Sequence, residues 1–286
     1  MKLNLFLLFA LVTLFFLSGC STETIFVQRT VIDGSMSTPP VHPGKNAQPG
    51  SGSFSMYCQL PNQKISTGKL ESNQQDNLNS DTTLSSDMVW HHPTLTMGGD
   101  AEYYLTHQIS LTGGFQYSAG NGRDNWGGRC GLGFTVPGKS TTLRLDGGIG
   151  LQSIHHTEDY VVVEEDFFSS KKTNIYLSDT RNTSESTYYV TFTLNSVDTN
   201  WVVQFLLQFG WSKQYLYDLE TEAKVNVNGS RDVGSVSIFT LTPAFIIPLK
   251  QDISVICGVR ASSFTTVDNL QPEFIVMPFM QMNFDF

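Results

Sequence analysis

Two histidine pairs come first among the residues able to do chemistry. His155-His156 is followed closely by Glu158, and His91-His92 ends a polar stretch. Imidazoles beside a carboxylate could hold a metal ion or, with a nearby serine, serve a hydrolase. The spacing supports neither. A zinc-hydrolase helix shows H-E-x-x-H, which sets two imidazoles on one face, and this chain has no such run. Cys58, Cys130 and Cys257 fit no zinc-ligand spacing. No G-x-S-x-G, phosphate-binding or dinucleotide-binding pattern occurs, and Gly131-Leu132-Gly133 is better explained by close strand approach. The histidines read as solvated loop residues. No catalytic, cofactor or metal residue is assigned.

Six ionisable residues follow another rule. Asp100, Glu102, Arg129, Arg144, Asp146 and Arg260 each lie in a run that alternates apolar and polar residues, always on the polar row. A period of two is that of a β-strand with one oily face. Such runs cover residues 53–60, 94–106, 109–118, 129–136, 142–154, 187–197, 201–212, 236–248, 253–262 and 273–286. Their apolar rows carry no Asp, Glu, Lys or Arg, while the cysteines Cys58, Cys130 and Cys257 lie on those rows as small hydrophobes. Short turns at His107-Gln108 and at residues 137–140, 198–200 and 250–252 alternate with long polar loops. In the acidic stretch 155–185, residues 160–163 and 174–177 can extend the flanking strands as a hairpin. Pro243 and Pro278 fall inside runs, where a missing N–H suggests a bulge or a register break. Charged residues are only 15% of the chain and the formal charge is −9, which speaks against a nucleic-acid partner.

The last run, EFIVMPFMQMNFDF, stops on an aromatic residue. Phe274, Val276, Pro278, Met280, Met282, Phe284 and Phe286 share one face, and Met277, Phe279, Gln281, Asn283 and Asp285 the other. On this stretch the chain resembles bacterial outer-membrane β-barrel proteins. The resemblance implies an all-β fold, an antiparallel up-and-down transmembrane β-barrel of about ten strands, with eight as the alternative. It implies that Phe286, Phe284 and Met282 form the signal read by the barrel-assembly machinery. It also turns the six charges toward the lumen, because a charge on the lipid face costs about 2–4 kcal/mol near the midplane. Trp201 and Trp211 share a face ten residues apart, about 25 Å along the membrane normal for a tilted strand, and form an aromatic girdle with Tyr103 and Tyr188. Single-chain barrels have even strand numbers, so residues 53–60 rise first and 62–93 make an external loop.

The amino terminus carries a second resemblance. Met1-Lys2 is basic, an apolar run follows, and Leu17-Ser18-Gly19-Cys20 is similar to the lipobox of bacterial lipoproteins. This implies a signal peptide over residues 1–19, lipidation of Cys20, and recognition by lipoprotein-sorting machinery. Loss of Lys2 would leave 16 basic against 26 acidic side chains, or −10. Residues 20–52 are rich in Thr, Ser, Pro and Gly and read as a flexible tether from an inner-leaflet lipid, with 25–31 as a short strand. The barrel then spans 53–286.

These readings lead to a lipid-anchored barrel in an outer membrane of the Gram-negative type, in contact with its lipid. It is a non-enzymatic surface or structural component with a mostly filled lumen, and no ligand is named. The alternatives are a tethered soluble β-sandwich or lipocalin-like binding module, and a barrel enzyme acting at the outer surface. If the terminal strand is an assembly signal, Phe286→Lys lowers protease cleavage within residues 155–185 on intact cells several-fold, and Asp285→Lys does much less. Unchanged cleavage after Phe286→Lys sinks that role.

Overall fold

The computed structural model describes residues 21–34, 38–45, 47–62, 65–75, 81–120, 124–166, 172–196, 203–216, 234–266 and 273–286. They form thirteen strands: β1 Ser21–Asp33, β2 Gly52–Gln59, β3 Ile65–Gln75, β4 Asp81–His91, β5 Leu95–Tyr104, β6 Ile109–Ala119, β7 Asn125–Val136, β8 Thr141–Asp166, β9 Lys172–Ser196, β10 Gln204–Leu216, β11 Gly234–Lys250, β12 Ile253–Thr266 and β13 Glu273–Asp285. Ten of them close a barrel in the order β2-β5-β6-β7-β8-β9-β10-β11-β12-β13, and β13 returns to β2. Every ladder around this ring is antiparallel. The closing seam pairs Phe279↔Gln59 through Asp285↔Ser53.

The two faces of the wall are inverted relative to a soluble domain. Met97, Phe115, Trp126, Leu132, Leu145, Ile149, Phe205, Phe245 and Met280 all point outward and are exposed. Gln116, Thr135, Thr193, Gln208, Ser212, Thr242 and Gln281 point inward and are buried. A sandwich or a lipocalin-like cup would bury the oily row, so this arrangement excludes both. The belt has a defined upper limit. On β8 the outward row is Leu143, Leu145, Gly147, Ile149 and Leu151, then turns polar at Ser153, His155, Thr157 and Asp159. From Leu143 to Leu151 a tilted strand rises roughly 20 Å, close to the height of an apolar band.

One end of the barrel carries short connections. Residues 105–108, 137–140 and 251–252 turn the chain there, and Phe286 meets Gly52 through paired backbone bonds of 2.9 and 3.0 Å. At the other end the β8–β9 hairpin continues in unbroken register from Thr141↔Ser196 to Glu165↔Lys172. Past Leu151 this adds on the order of 45 Å of strand. Residues 62–93, expected as an external loop, contain the β3–β4 hairpin, and β4 lies parallel to β1. In turn β1 runs antiparallel to the upper part of β8, from Ser21↔Asp166 to Asp33↔His155. The short strand expected over 25–31 is thus longer, and it completes a cap sheet.

The cap seals the barrel mouth. Ile32 of β1 and Trp90 of β4 pack with Ile154 and, across the opening, with Val236 and Ile238 of β11 and Ile275 and Met277 of β13. The Trp90 indole donates to the Gly34 carbonyl at 2.9 Å. The inward rows of β11 and β13 are oily at this level, where they meet the cap, and again deeper in the lumen at Ala244, Ile246 and Phe279.

The described residues of the stretch 20–52 depart from the expected flexible tether. After β1 the chain enters the barrel, and Thr38, Pro39, Pro40, Val41, His42, Pro43 and Gly44 are all buried. It leaves at the short-turn end, where the Gly50 amide donates to the Tyr104 carbonyl at 2.8 Å, and rises as β2. Proline dictates the extended shape: Thr38, Pro39 and His42 each precede a proline and are held out of the helical region.

The expected breaks at Pro243 and Pro278 are also corrected. The β11–β12 register is the same on both sides of Pro243, from Leu241↔Ala261 to Ala244↔Gly258. The register shift lies instead between Pro248 and Lys250. Pro278 sits where β2 ends; its carbonyl accepts from the Leu60 amide at 3.1 Å, so its missing N–H costs no pair within that ladder.

The cap carries a pH-sensitive group. His92 is buried and stacks on Trp90 at 6.1 Å between ring centroids. Burial, helped by the neighbouring His91, lowers its pKa to about 4. A histidine whose folded pKa lies below its unfolded value stabilises the fold above the unfolded value, about 6.5, and loses that stability as pH falls toward the folded one. Acidification from pH 7 to 4 should loosen the cap by up to about 3 kcal/mol. Amide exchange at Ile32 and Trp90 measures this, and His92→Phe should flatten the dependence.

Candidate functional site

The inner wall holds two ion-pair knots. Arg144 on β8 donates from Nε to both carboxylate oxygens of Asp146 at 2.9 Å. Its other nitrogens reach the Glu102 carboxylate and, at 3.3 Å each, the Tyr104 hydroxyl and Ser110 Oγ. Arg129 on β7 makes a two-pronged bond to Asp100, at 2.9 Å from Nε and 2.6 Å from Nη2, and lies over the Tyr57 ring. Such forked pairs satisfy a guanidinium and a carboxylate together where water is scarce. Alternation on β5, β7, β8 and β12 aims all six residues expected in the lumen into it, and each is buried or nearly so. Three guanidinium groups face three carboxylates, so the set sums to zero.

Arg260 on β12 departs from this pattern. Among the described residues no carboxylate lies within 4.0 Å of it. It donates to Gln59 Oε1 at 3.1 Å, to the Pro39 carbonyl at 3.0 Å and to Thr242 Oγ1 at 3.4 Å, and sits over the Phe279 ring. A buried cation held by oxygen dipoles depends on each of them. One of those dipoles belongs to the inserted segment.

The wall grips that segment along its length. Arg129 Nη1 donates to the Thr38 carbonyl at 2.9 Å, Gln208 Nε2 to Pro40 at 2.8 Å, Gln281 Nε2 to Val41 at 2.9 Å, and Asn195 Nδ2 to Gly44 at 3.1 Å. Val41 inserts among Leu206, Ala244, Ile246, Ile256 and Phe279. At the short-turn end Lys45 pairs with Asp285. Two glycines make room: a Cβ on Gly210 would stand 3.0 Å from Pro39 Cγ, and one on Gly44 would strike Thr142 Cγ2 at 2.5 Å. The lumen is therefore filled by main chain as well as by side chains. Sequence reading saw the proline run but took it for a spacer; the signal for insertion was the match between carbonyl-rich, donor-poor backbone and inward Gln, Asn and Arg.

The other expected sites fall as follows. Tyr103 and Tyr188 point outward and are exposed, and Tyr188 meets Tyr215 edge to face; Trp211 is half-buried on the same outer surface. Trp126 lies on that surface too, at the end of β7, although no alternating run had included it. Trp201 and Cys20 lie outside the described residues. Met282 and Phe286 point outward and Phe284 is half-buried beside them. Of the histidines read as solvated, His92 and His156 are buried instead, because the cap covers the inner face of the extended β8. His156 Nε2 lies 4.0 Å from Glu158 Oε1, and His91 Nδ1 contacts Asp33 at 2.6 Å. His156 and Glu158 are neighbours on one face of β8, whereas His91 meets Asp33 only through the pairing of β1 with β4.

No family model matches the chain, and no curated protein matches it. Among solved structures it is similar to the outer membrane protease OmpT from Escherichia coli, with 8% identity, 83% of this chain and 97% of that one covered, and a TM-score of 0.48. It is also similar to an outer membrane channel from Pseudomonas putida F1, with 10% identity, coverage of 87% and 100%, and a TM-score of 0.38. The N-terminal β-barrel domain of Pseudomonas aeruginosa OprF gives 7% identity, coverage of 83% and 100%, and a TM-score of 0.30. Likenesses at this level assign neither activity nor ligand; the ten-strand closure rests on the chain's own ladders.

The Arg144 knot yields a stability prediction. Arg144→Met leaves the Glu102 and Asp146 carboxylates buried without their cation and should cost about 3–5 kcal/mol. Adding Glu102→Gln and Asp146→Asn should recover much of that loss. Urea unfolding in lipid vesicles measures all three variants, and a neutral single replacement would show that the knot carries no net stabilisation.

Proposed function

We propose that the mature chain is a lipid-anchored outer-membrane barrel that works as a non-enzymatic surface component, its lumen held shut by its own amino-terminal segment. The observation that carries this reading is an apolar belt around an interior plugged by residues 38–44, with a polar hairpin and cap projecting past the belt at one end. Bacterial single-chain barrels keep short turns in the periplasm and long loops outside. That orientation puts the β8–β9 hairpin and the cap on the cell surface and Phe286 at the periplasmic rim, where assembly machinery can reach it. Phe286, Phe284 and Met282 act there as the assembly signal, and Tyr103, Tyr188 and Trp211 as girdle residues.

The lipobox-like run supports lipidation at Cys20. The placement of β1 changes where such a lipid sits. Ser21 pairs with Asp166 far out on the β8–β9 hairpin, which favours a lipid at the long-loop end over one in the inner leaflet. The segment that follows it crosses the lumen inward before β2 crosses outward.

Two measurements test the proposal separately. After detergent extraction, unboiled protein should migrate faster than boiled protein, as a closed barrel does. Cys20→Ala should lose incorporation of a clickable fatty acid yet stay in the membrane fraction. Absence of the mobility change together with release of Cys20→Ala into the soluble fraction would falsify the barrel reading; retained fatty-acid label on Cys20→Ala would remove the anchor alone.

A further inference from the structure

We propose that the lumen is a built binding site for an extended, proline-rich peptide, and that residues 38–44 occupy it in cis. The site stands whatever anchors the barrel. Every described hydrogen bond between the wall and residues 38–44 runs from a wall donor to a segment acceptor; the reverse case is Lys45, just past them, which donates to Asp285. Arg129, Arg260, Gln208, Gln281 and Asn195 donate to the carbonyls of Thr38, Pro39, Pro40, Val41 and Gly44, and Gln59 donates to Thr38 Oγ1. These donors come from β2, β7, β9, β10, β12 and β13, so the ring of strands itself forms the cradle.

At Pro39 and Pro40, wall donors meet a backbone that can only accept. Pro39, Pro40 and Pro43 have no N–H to leave unpaired, and their fixed φ holds the extended form before it docks. An ordinary residue at each of those positions would bring a buried N–H that must find a new partner. That is enough to weaken binding about tenfold or more. Shape adds specificity: Val41 fills an apolar niche of five side chains, Pro39 lies over Gly210, and Gly44 fits against Thr142. Length agrees as well, since seven residues in polyproline form span roughly 20 Å, the rise of the apolar belt.

The segment is a ligand-like occupant and not part of the wall. It pairs with no barrel strand, and the Arg129–Asp100 and Arg144–Glu102–Asp146 knots close without it. The cap seals the mouth at the long-loop end, so a free peptide enters from the short-turn end.

The test uses the full chain, purified in detergent, with residues 38–44 replaced by a Gly/Ser stretch of equal length. The probe is a fluorescent synthetic peptide, Thr-Pro-Pro-Val-His-Pro-Gly, read by anisotropy. The replaced chain should bind it saturably. The natural chain, whose segment competes at high effective concentration, should bind at least about tenfold more weakly. A probe with its three prolines changed to alanine should lose about tenfold or more against the replaced chain. A folded replaced chain, judged by heat-modifiable mobility, that ignores the probe overturns the proposal. So does equal binding of the alanine probe. If the replacement prevents folding, Val41→Asp, which drives the segment out by charging its niche, is read in its place. Failure of that variant to fold or to bind would make the segment a fixed part of the barrel and overturn the proposal equally.

Discussion

A backbone N–H or C=O left unpaired in an apolar slab costs several kcal/mol, and this one constraint organises the molecule. A sheet with an oily outer face can meet it only by closing, because an open sheet has two unpaired edges. Closure here is made by β2 and β13, strands from the two ends of the wall, across a seam that ends at Gly52 and Phe286. Once the ring is shut the problem moves inside. Ten strands leave more space than side chains on a polar inner row fill comfortably, and most polar groups there are buried.

The chain answers the second problem in two ways. Carboxylates and guanidinium groups are matched in knots on neighbouring strands, Arg129 with Asp100 and Arg144 with Glu102 and Asp146. The remaining donors, on Arg260, Gln208, Gln281 and Asn195, receive carbonyls from a strap of the chain's own backbone. The strap and the cap are close in sequence, since β1 ends at Asp33 and the strap begins at Thr38. Packing Ile32 and Trp90 over the mouth therefore fixes the upper end of the strap, and Lys45 with Asp285 fixes the lower. Loosening either end weakens the hold on the other.

The same geometry creates the buried histidines. A hairpin as long as β8–β9 would stand in water with both faces wet, and residues such as His156 would be solvated. The cap sheet covers one face, and burial follows for His92, His156 and Glu158. Chemistry-bearing residues at this end thus owe their environment to β1, a strand that begins more than a hundred residues away in sequence from its partner.

The alternation along the chain marked the wall strands and their two faces, and the resemblance at residues 273–286 and the loop lengths made them a barrel. Side chains on a strand point to opposite faces in turn, so a charge-free oily row beside Asp100, Glu102, Arg129, Arg144, Asp146 and Arg260 sets which face meets lipid, and short turns such as His107-Gln108 set the order of neighbours. Residues 53–60 were recognisable as the tenth strand because an even count needed one. Three things were decided only by tertiary structure. The proline-rich stretch 38–44 has no periodicity of its own, and its place in the lumen depends on donors from six strands distant in sequence. The cap depends on a parallel pairing of β1 with β4, which no turn announces. The prolines at 243 and 278 keep their register because of where the partner strand lies and ends. Local period is written in one segment at a time; what fills a closed lumen is a property of the whole ring.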